Sequence, residues 1–393
     1  MSAKKLTRLV QPSEIKPDVK ALPAFKAEDD GAKEAAAASE YRELQPEQAQ
    51  CLAAANSTLG NLLSTESSIA MSTGTDRRGT PGPEAPTKRD VLACRAVDER
   101  NRSAATALRL FYSLAEAEAN RAWLDKSLAE AKRAVDNLEK VKEQGLLVPA
   151  EGRLFEQQRV GLLDQDAQLR NSVDQLNGQL RALVGLDDDR TPLWPAADLD
   201  VTGEPIDVEE AVRVGLANRP DLAMLRAMGA SLDTETLPAA RSGLQQVDPL
   251  LGSSGQTARF LSRRSKEKSD ATELPSRRGQ LSQLQTDRRR AAVEEIGQKA
   301  RTVDTRVRQV VLAEETRKLR QQQLDRLTKK RAADGVTAFE LSKARLELFR
   351  AESDLVSKAA AWKIAQVELK ESQGLLAKEC GYCLPASCGG TCK

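Results

Sequence analysis

Two long helical patterns, each followed by a hinge that contains a glycine, constrain the fold of this chain more than any other feature. In the first, apolar residues recur mostly every three or four positions from about 104 to 144, the spacing of one helix face. Gly145 follows, and glycine readily adopts the left-handed conformation that ends a helix. Pro149 can begin a return helix, which is predicted to end at Gly185. The pattern therefore predicts two long antiparallel helices.

The second half of the chain repeats this plan. A helical pattern from about 286 to 333 is followed by Gly335, and Thr337 and Glu340 have the spacing of a capping box at the start of a return helix. That helix is predicted to end near Gly374. The distance from hinge glycine to closing glycine is 40 residues in the first copy and 39 in the second. Two copies of matched length indicate a tandem duplication.

A shorter repeat supports the duplication. The segment LQPEQAQCLAAAN (44–56) aligns with IDVEEAVRVGLAN (206–218) at an offset of 162 residues. Pro46 is predicted to begin the first short helix, and Asp207 with Glu210 has capping-box spacing in the second. The predicted parts of the chain are a disordered segment at 1–40, a first helical-hairpin repeat at 41–186, a linker at 187–205, a second repeat at 206–376 and a cysteine-rich tail at 377–393.

Composition argues against several functional classes. The chain contains no histidine, the commonest general base and neutral metal ligand, and it carries no nucleotide-binding loop or nucleophile-elbow motif. The net charge of +2 predicts no nucleic-acid partner. The basic run that begins at Arg259 has acidic neighbours and almost no aromatic side chains for base stacking, so it is predicted to be a solvated loop. We therefore expect a non-enzymatic protein without a cofactor.

The residues alone show no export or membrane segment. The first twenty residues contain no apolar core of a signal peptide, and no run approaches the roughly 20 apolar residues of a membrane-spanning helix. Taken literally, this predicts a soluble cytosolic chain. The alternative is that the natural start lies upstream or that the sequence is a fragment.

The tail CGYCLPASCGGTCK contains four cysteines with the spacing C-x2-C-x4-C-x3-C. This spacing leaves little room for two pairs of thiolates to wrap around one zinc ion. Disulfides or an unstructured thiol tail are therefore favoured, and no metal is predicted. Cys51 and Cys94 are isolated in the sequence, and Cys51, which lies in an apolar helical pattern, is predicted to belong to the core. The weak candidates for a metal site are Cys380, Cys383, Cys388 and Cys392.

With these features on one chain, the sequence resembles the TolC-type outer membrane efflux protein family. The resemblance rests on the duplication, the hinges around Gly145 and Gly335, EEAVRVGLANRPDL (209–222) and WKIAQVELKESQG (362–374), and it covers roughly residues 41–376. It implies a mainly all-α fold, in which a tandem repeat of long antiparallel coiled-coil hairpins contributes to a helical barrel.

The sequence departs from the family where membrane strands belong. Strands of a membrane barrel need about 9 to 11 residues of alternating polarity. The two windows at the corresponding places, 57–103 and 229–285, show no convincing alternation and many charges. We therefore expect the β-barrel strands to be absent or degenerate.

The resemblance also implies a function. The chain would be a non-enzymatic efflux component, a homotrimer whose α-helical tunnel exports small molecules with a periplasmic adaptor protein and an inner-membrane pump, at the outer membrane and periplasm. In this family the hairpin tips meet the adaptor and gate the tunnel, and an acidic residue such as Asp334 could narrow the pore. The matching tip residues are Gly145, Leu146, Leu147, Val148, Pro149, Asp334, Gly335, Val336, Thr337, Ala338 and Phe339.

A soluble structural coiled-coil scaffold without a pore is the alternative. A chain without evident strands or a signal peptide is what that hypothesis predicts. A periplasmic adaptor is disfavoured, because adaptors carry one hairpin inserted in a lipoyl-like β domain and this chain has two. Symmetry separates the first two hypotheses, since a pore requires a closed ring of subunits whereas a scaffold is compatible with a monomer or dimer.

Overall fold

The computed structural model is almost entirely helical in the part of the chain that it describes. The described residues are 8–10, 41–73, 82–143, 151–186, 190–201, 205–247, 263–331 and 337–388. The helices are α1 (Pro46–Ala55), α2 (Thr58–Thr73), α3 (Ala85–Glu143), α4 (Glu151–Val184), α5 (Val208–Asn218), α6 (Pro220–Ala230), α7 (Leu237–Val247), α8 (Arg263–Arg331), α9 (Ala338–Gln373) and α10 (Leu376–Glu379), followed by a 3-10 helix (Ala386–Cys388). The prediction of a mainly helical fold is confirmed.

The predicted return helices match the structure closely. They are α4, with 34 residues, and α9, with 36. The outgoing helices α3 and α8 are longer than predicted, because they begin at Ala85 and Arg263 rather than near 104 and 286. Their added turns are rich in Arg, Lys, Glu and Ala, which form helices readily, and polar residues such as Asp90 and Arg277 share their buried faces with apolar ones. The predicted loop around the basic run is thus helical from Arg263 onward, and Arg259 lies outside the described residues.

The windows without alternating polarity are also largely helical where they are described. They contain α2, the first turns of α3, α7 and the first turns of α8. Of the helices that the structure describes, none combines the length and the apolar character required to cross a lipid bilayer.

Side-chain caps place the starts of two helices. Thr337 and Glu340 form the predicted capping box of α9: the Glu340 N–H donates to Thr337 Oγ1 (3.2 Å) and the Thr337 N–H donates to Glu340 Oε2 (2.9 Å). At α5, Asp207 Oδ1 accepts from the Glu209 N–H (2.9 Å) as predicted. Glu210 does not reach back, however, because its carboxylate pairs with Arg213. The second capping box is therefore only half formed.

Two glycines end the return helices as predicted. Gly185 follows α4 with φ 74° and Gly374 follows α9 with φ 72°, both in the left-handed region. A Cβ atom on Gly374 would also lie 2.8 Å from the carbonyl oxygen of Asn218. Close approach of the backbone, in addition to the left-handed conformation, therefore requires glycine at this position.

The chain divides into two compact units, and each unit takes residues from both sequence repeats. The first unit combines Met1–Ala49, Ala107–Pro205 and Thr302–Gln366, and the second combines Gln50–Thr106, Ile206–Arg301 and Val367–Lys393. The repeat boundaries predicted from the sequence stay a prediction.

The core of the first unit lies among α3, α4 and α9. Trp123, Val356 and Ala359 form one buried cluster with Leu199. The unit also contains a three-stranded sheet in which β2 (Tyr41–Leu44) pairs antiparallel with β1 (Arg8–Val10) and parallel with β3 (Leu193–Pro195). The sheet is small, so burial along the helices supplies most of the apolar core of this unit.

The core of the second unit centres on α6 and α7, which pack against the first turns of α3 and part of α8. Leu225 and Met228 of α6 contact Leu237 and Leu244 of α7 in a fully buried cluster. Val91 of α3 belongs to the same cluster. Two short helices therefore contribute much of the apolar core of this unit, together with Leu281 of α8.

Candidate functional site

The predicted hairpin tips lie mostly outside the described residues. Eight of the eleven, those at 145–149 and 334–336, fall in undescribed segments. Of the remaining three, Thr337 is exposed, and Ala338 and Phe339 are half-buried in the first turn of α9. The Phe339 ring packs against Phe155 in the first turns of α4, with 5.9 Å between ring centroids. The structure therefore brings the starts of the two return helices together.

A buried carboxylate fastens this end of the first unit. Glu130 of α3 is 4% exposed, and its Oε1 accepts from the Ser342 hydroxyl (2.7 Å) while Arg345 Nη1 lies 3.2 Å from Oε2. Both partners belong to α9. Because a buried charge is tolerated only when it is paired and hydrogen-bonded, this contact fixes the alignment of α3 with α9 near the start of the return helix.

Glu352 is a second buried carboxyl, also on α9 and 6% exposed. Burial raises its pKa to about 7, although Lys126 of α3 and Arg317 of α8 act in the opposite direction. Burial likewise lowers the pKa of Lys126. A carboxyl with a pKa near neutrality, between cationic side chains of two other helices, changes its charge within the physiological pH range.

The outer faces of α4 and α8 in the first unit carry apolar residues in water. The exposed side chains Leu312 and Leu319 of α8 are 61% and 64% exposed, and they are seven residues apart, so they share one helix face. That face is opposite the buried Val303 and Val310. On α4, the buried side chains among the described residues fall on one narrow seam, namely Phe155, Asp166, Val173, Asn177, Leu180 and Val184.

The narrow buried seam of α4 leaves apolar side chains elsewhere on this helix exposed. On α4, Val160 and Leu163 lie off the seam and are exposed. A helix of a globular domain normally buries an apolar stripe at least about 100° wide, whereas the buried seam of α4 is narrower. Val160 and Leu163 are three residues apart and therefore form a small exposed apolar patch on this helix.

Parts of the two motifs that carried the resemblance lie in contact within the second unit. Arg219, between α5 and α6, donates to Glu295 (2.6 Å), to Asp221 (2.9 Å) and to the Ser372 carbonyl at the end of α9 (3.1 Å). Gln373 donates to the Ala211 carbonyl (2.9 Å). Burial alone would raise the pKa of Asp221, but the hydrogen bonds and charge of Arg219 outweigh it and lower that pKa. The hydrogen bonds of Arg219 and Gln373 therefore connect the α5–α6 region with the end of α9.

Sequence comparison alone does not place this chain. No protein-family model matches it, and no curated protein matches it.

Solved structures do match. The outer membrane protein VceC from Vibrio cholerae is 16% identical, with a TM-score of 0.54 over 74% of this chain and 74% of its own. The MtrE outer membrane channel of Neisseria gonorrhoeae is 13% identical, with a TM-score of 0.53 over 84% and 88%. CusC, from a study of transmembrane channel formation, is 11% identical, with a TM-score of 0.60 over 84% and 92%. The chain has the fold of the TolC-type outer membrane channels. At these identities the likeness establishes the fold.

Within the second unit of this TolC-type fold, a disulfide joins Cys51 of α1 to Cys380, directly after α10. Gln50 beside it donates to the Leu376 carbonyl and to Glu379, both at 2.9 Å. Cys51 is half-buried, and the interpretation of it as an isolated cysteine missed this partner. Its sulfur forms a cross-link between segments 329 residues apart, and nothing in the local helical pattern indicates that partner.

The cysteine-rich tail contains disulfide-bonded cysteines where a metal site was the alternative. Cys383 is disulfide-bonded as well, so at least two tail sulfurs are not available as thiolate ligands. Among the described residues, no group of three or more Cys, Asp and Glu side chains could hold a metal ion. Cys388 is a buried free thiol, and Cys392 lies outside the described residues.

Sequence reasoning missed Glu352. Its position carries a signal, because it lies four residues after Leu348 and three before Leu355, both on the buried face of α9. A carboxyl on the apolar face of a predicted helix indicates either a buried pair or a perturbed pKa. The same reasoning applies to Glu130 on α3.

Proposed function

We propose that this chain is the channel-forming component of an efflux assembly, in which three copies form a closed α-helical tunnel for small molecules. The observation that carries the proposal is the likeness to CusC, with a TM-score of 0.60 over 84% of this chain and 92% of CusC. The matched structures are outer membrane proteins and channels rather than enzymes, which supports a non-enzymatic, passive role.

The outer faces of the first unit support association with further copies. Leu312 and Leu319 of α8 and Val160 and Leu163 of α4 leave apolar side chains in water. Burying one leucine side chain fully contributes about 1.5 to 3 kcal/mol, so a neighbouring copy that covers these residues gains several such contributions. A ring of three copies would cover the exposed faces of every copy by the same contact.

We place the assembly at the outer membrane and periplasm, with an adaptor protein bound at the hairpin tips and an inner-membrane pump beyond it. The disulfide between Cys51 and Cys380 supports an oxidising compartment, since such bonds rarely persist in the cytosol. The proposed docking residues are those at 145–149 and 334–339, of which Thr337 is the exposed residue at the start of α9.

The test is ion conductance across a planar lipid bilayer after addition of detergent-purified protein. For the wild-type chain we expect discrete current steps of uniform size. The double variant Leu312→Gln and Leu319→Gln keeps helix propensity nearly unchanged but removes the exposed apolar face, so its steps should be at least tenfold rarer at equal protein concentration. The matched control, Leu312→Met and Leu319→Met, keeps apolar side chains of similar volume at the same two positions and should conduct like the wild type.

Two results would contradict the proposal in different ways. Folded wild-type protein that produces no steps over a wide concentration range argues for the coiled-coil scaffold without a pore. Equal conductance from all three proteins would support a channel but would show that the α8 leucines are not in the contact between copies.

A further inference from the structure

Two free cysteines face each other in the second unit. Cys94 of α3 and Cys388 of the 3-10 helix are 0% and 3% exposed. Their sulfur atoms are 3.3 Å apart, although the residues are 294 positions apart in the sequence. Both lie in a small apolar cluster with Ala223 and Ala227 of α6. The fold has therefore placed two thiols together at the point where the tail returns to α3.

The pair has the chemistry of a nucleophile and its resolving thiol. The Cys94 S–H donates to the Cys388 sulfur. This hydrogen bond, together with burial, raises the pKa of the Cys94 thiol, whereas accepting it lowers the pKa of Cys388 despite burial. Cys388 is accordingly the sulfur that ionises first. A thiolate, rather than a thiol, attacks a disulfide.

The surroundings of the pair are already oxidised. Cys380 and Cys383 precede Cys388 by eight and five residues, and both are in disulfides. A disulfide requires a sulfur–sulfur distance of about 2.05 Å, so the two thiols need to approach by roughly 1.2 Å. We expect a change of side-chain rotamer and a small shift of the 3-10 helix to close this distance, next to the small side chains of Ala223 and Ala227 and the flexible Met224.

We propose that Cys94 and Cys388 are a covalent modification site that forms a further disulfide by exchange with a small-molecule disulfide such as glutathione disulfide. The Cys388 thiolate attacks one glutathione sulfur, a mixed disulfide forms, and the first glutathione thiolate leaves. The Cys94 thiol then loses its proton and attacks the Cys388 sulfur, which releases the second glutathione. Two protein thiols are oxidised to one disulfide, and one glutathione disulfide is reduced to two thiols.

The consequence is a fixed position for the end of the tail. The new bond would join the 3-10 helix to α3, while the Cys51–Cys380 bond joins the residues after α10 to α1. Because both thiols are buried, glutathione disulfide reaches them only when the 3-10 helix lifts from α3 and α6. The reaction is therefore expected to take hours in the folded protein and to accelerate in mild urea.

The experiment uses the purified full chain, incubated with glutathione disulfide at pH 8, quenched with acid, unfolded and treated with N-ethylmaleimide. In the untreated chain, Cys94 and Cys388 should take two N-ethylmaleimide groups, and after incubation they should take none. A non-reducing peptide map should then contain one cross-linked species joining the two cysteine peptides. If the isolated protein already contains the bond, reduction of the folded chain followed by incubation with glutathione disulfide should restore the same cross-linked species.

Single variants provide the matched controls. Cys94→Ser and Cys388→Ser each leave one thiol of the pair, which can form at most one glutathione adduct and no cross-link. The peptide map of the wild-type chain tests the proposal even if one of these variants does not fold. The proposal is overturned if both wild-type cysteines remain alkylatable after prolonged incubation in mild urea, or if either sulfur is found joined to a different cysteine.

Discussion

Removing the disulfide between Cys51 and Cys380 should cost the second unit a large part of its stability. The bond closes a segment of 329 residues. In the chain-entropy model, a loop of this length restricts the unfolded chain by about 5.8 kcal/mol at 25 °C. The Gln50 hydrogen bonds to the Leu376 carbonyl and to Glu379 remain possible without the sulfurs, so the loss comes almost entirely from the unfolded state.

The size of the effect depends on the second thiol pair. If Cys94 and Cys388 are joined, that bond already connects the same two segments, and removing Cys51–Cys380 opens a loop of only roughly 50 residues. The same model then gives about 4 kcal/mol. The two cross-links should therefore be non-additive, with each worth more when the other is absent.

The assay is thermal unfolding of the double variant Cys51→Ala and Cys380→Ala, followed by circular dichroism at 222 nm without reductant. For a cooperative unit of roughly 180 residues, a loss of about 4 to 6 kcal/mol corresponds to a decrease in Tm of roughly 10 to 15 °C. Treating the wild-type chain with reductant should lower its Tm by at least as much. A shift below about 2 °C would refute the entropic reasoning, and a non-reducing peptide map without the Cys51–Cys380 species would refute the bond itself.

Further predictions concern a helix end and a buried carboxyl. Gly374→Ala should lower the free energy of unfolding, measured in urea, by about 3 kcal/mol, because a Cβ both disfavours φ 72° and meets the Asn218 carbonyl. The control Gly381→Ala should cost only about 1 kcal/mol, because at φ 85° the added Cβ has no atom within 4 Å. Equal losses for the two variants would contradict the role of close approach. Because burial raises the pKa of Glu352 from 4.5 to about 7, its contribution to stability is greatest below pH 4.5 and is lost as pH rises to 7, up to about 3 kcal/mol. The free energy of unfolding in urea should therefore differ less between pH 5 and pH 8 for Glu352→Gln than for the wild type. The exposed control Asp354→Asn should retain the wild-type difference. An unchanged difference for Glu352→Gln would refute the raised pKa.

Local signals in the sequence predicted the helical hairpins well. The capping box of Thr337 and Glu340, and the closing glycines at 185 and 374, have the predicted conformations because each depends on neighbours within a few residues. The start of α3 at Ala85 was missed, because Thr87, Asp90 and Asn101 share the buried face of its first turns with Val91 and Cys94. Apolar periodicity does not detect a packed face on which polar side chains are also buried.

Long-range contacts of single side chains were not predictable in the same way. Cys51 forms its bond 329 residues away, and its surrounding helix looks like an ordinary apolar segment. Glu130 finds Ser342 and Arg345 on a different helix. These pairs depend on the alignment of helices, which is set by the packing of many residues at once.

The central claim, a closed ring of three copies, is tested most directly by the mass of the purified chain in solution. Multi-angle light scattering coupled to size exclusion, run with detergent and corrected for the bound detergent, gives the protein mass of the particle. For a closed ring of three copies we expect a single species of about three times the 42.8 kDa chain mass. A monomer or dimer at every protein concentration, with detergent and without it, would contradict the tunnel and support the scaffold.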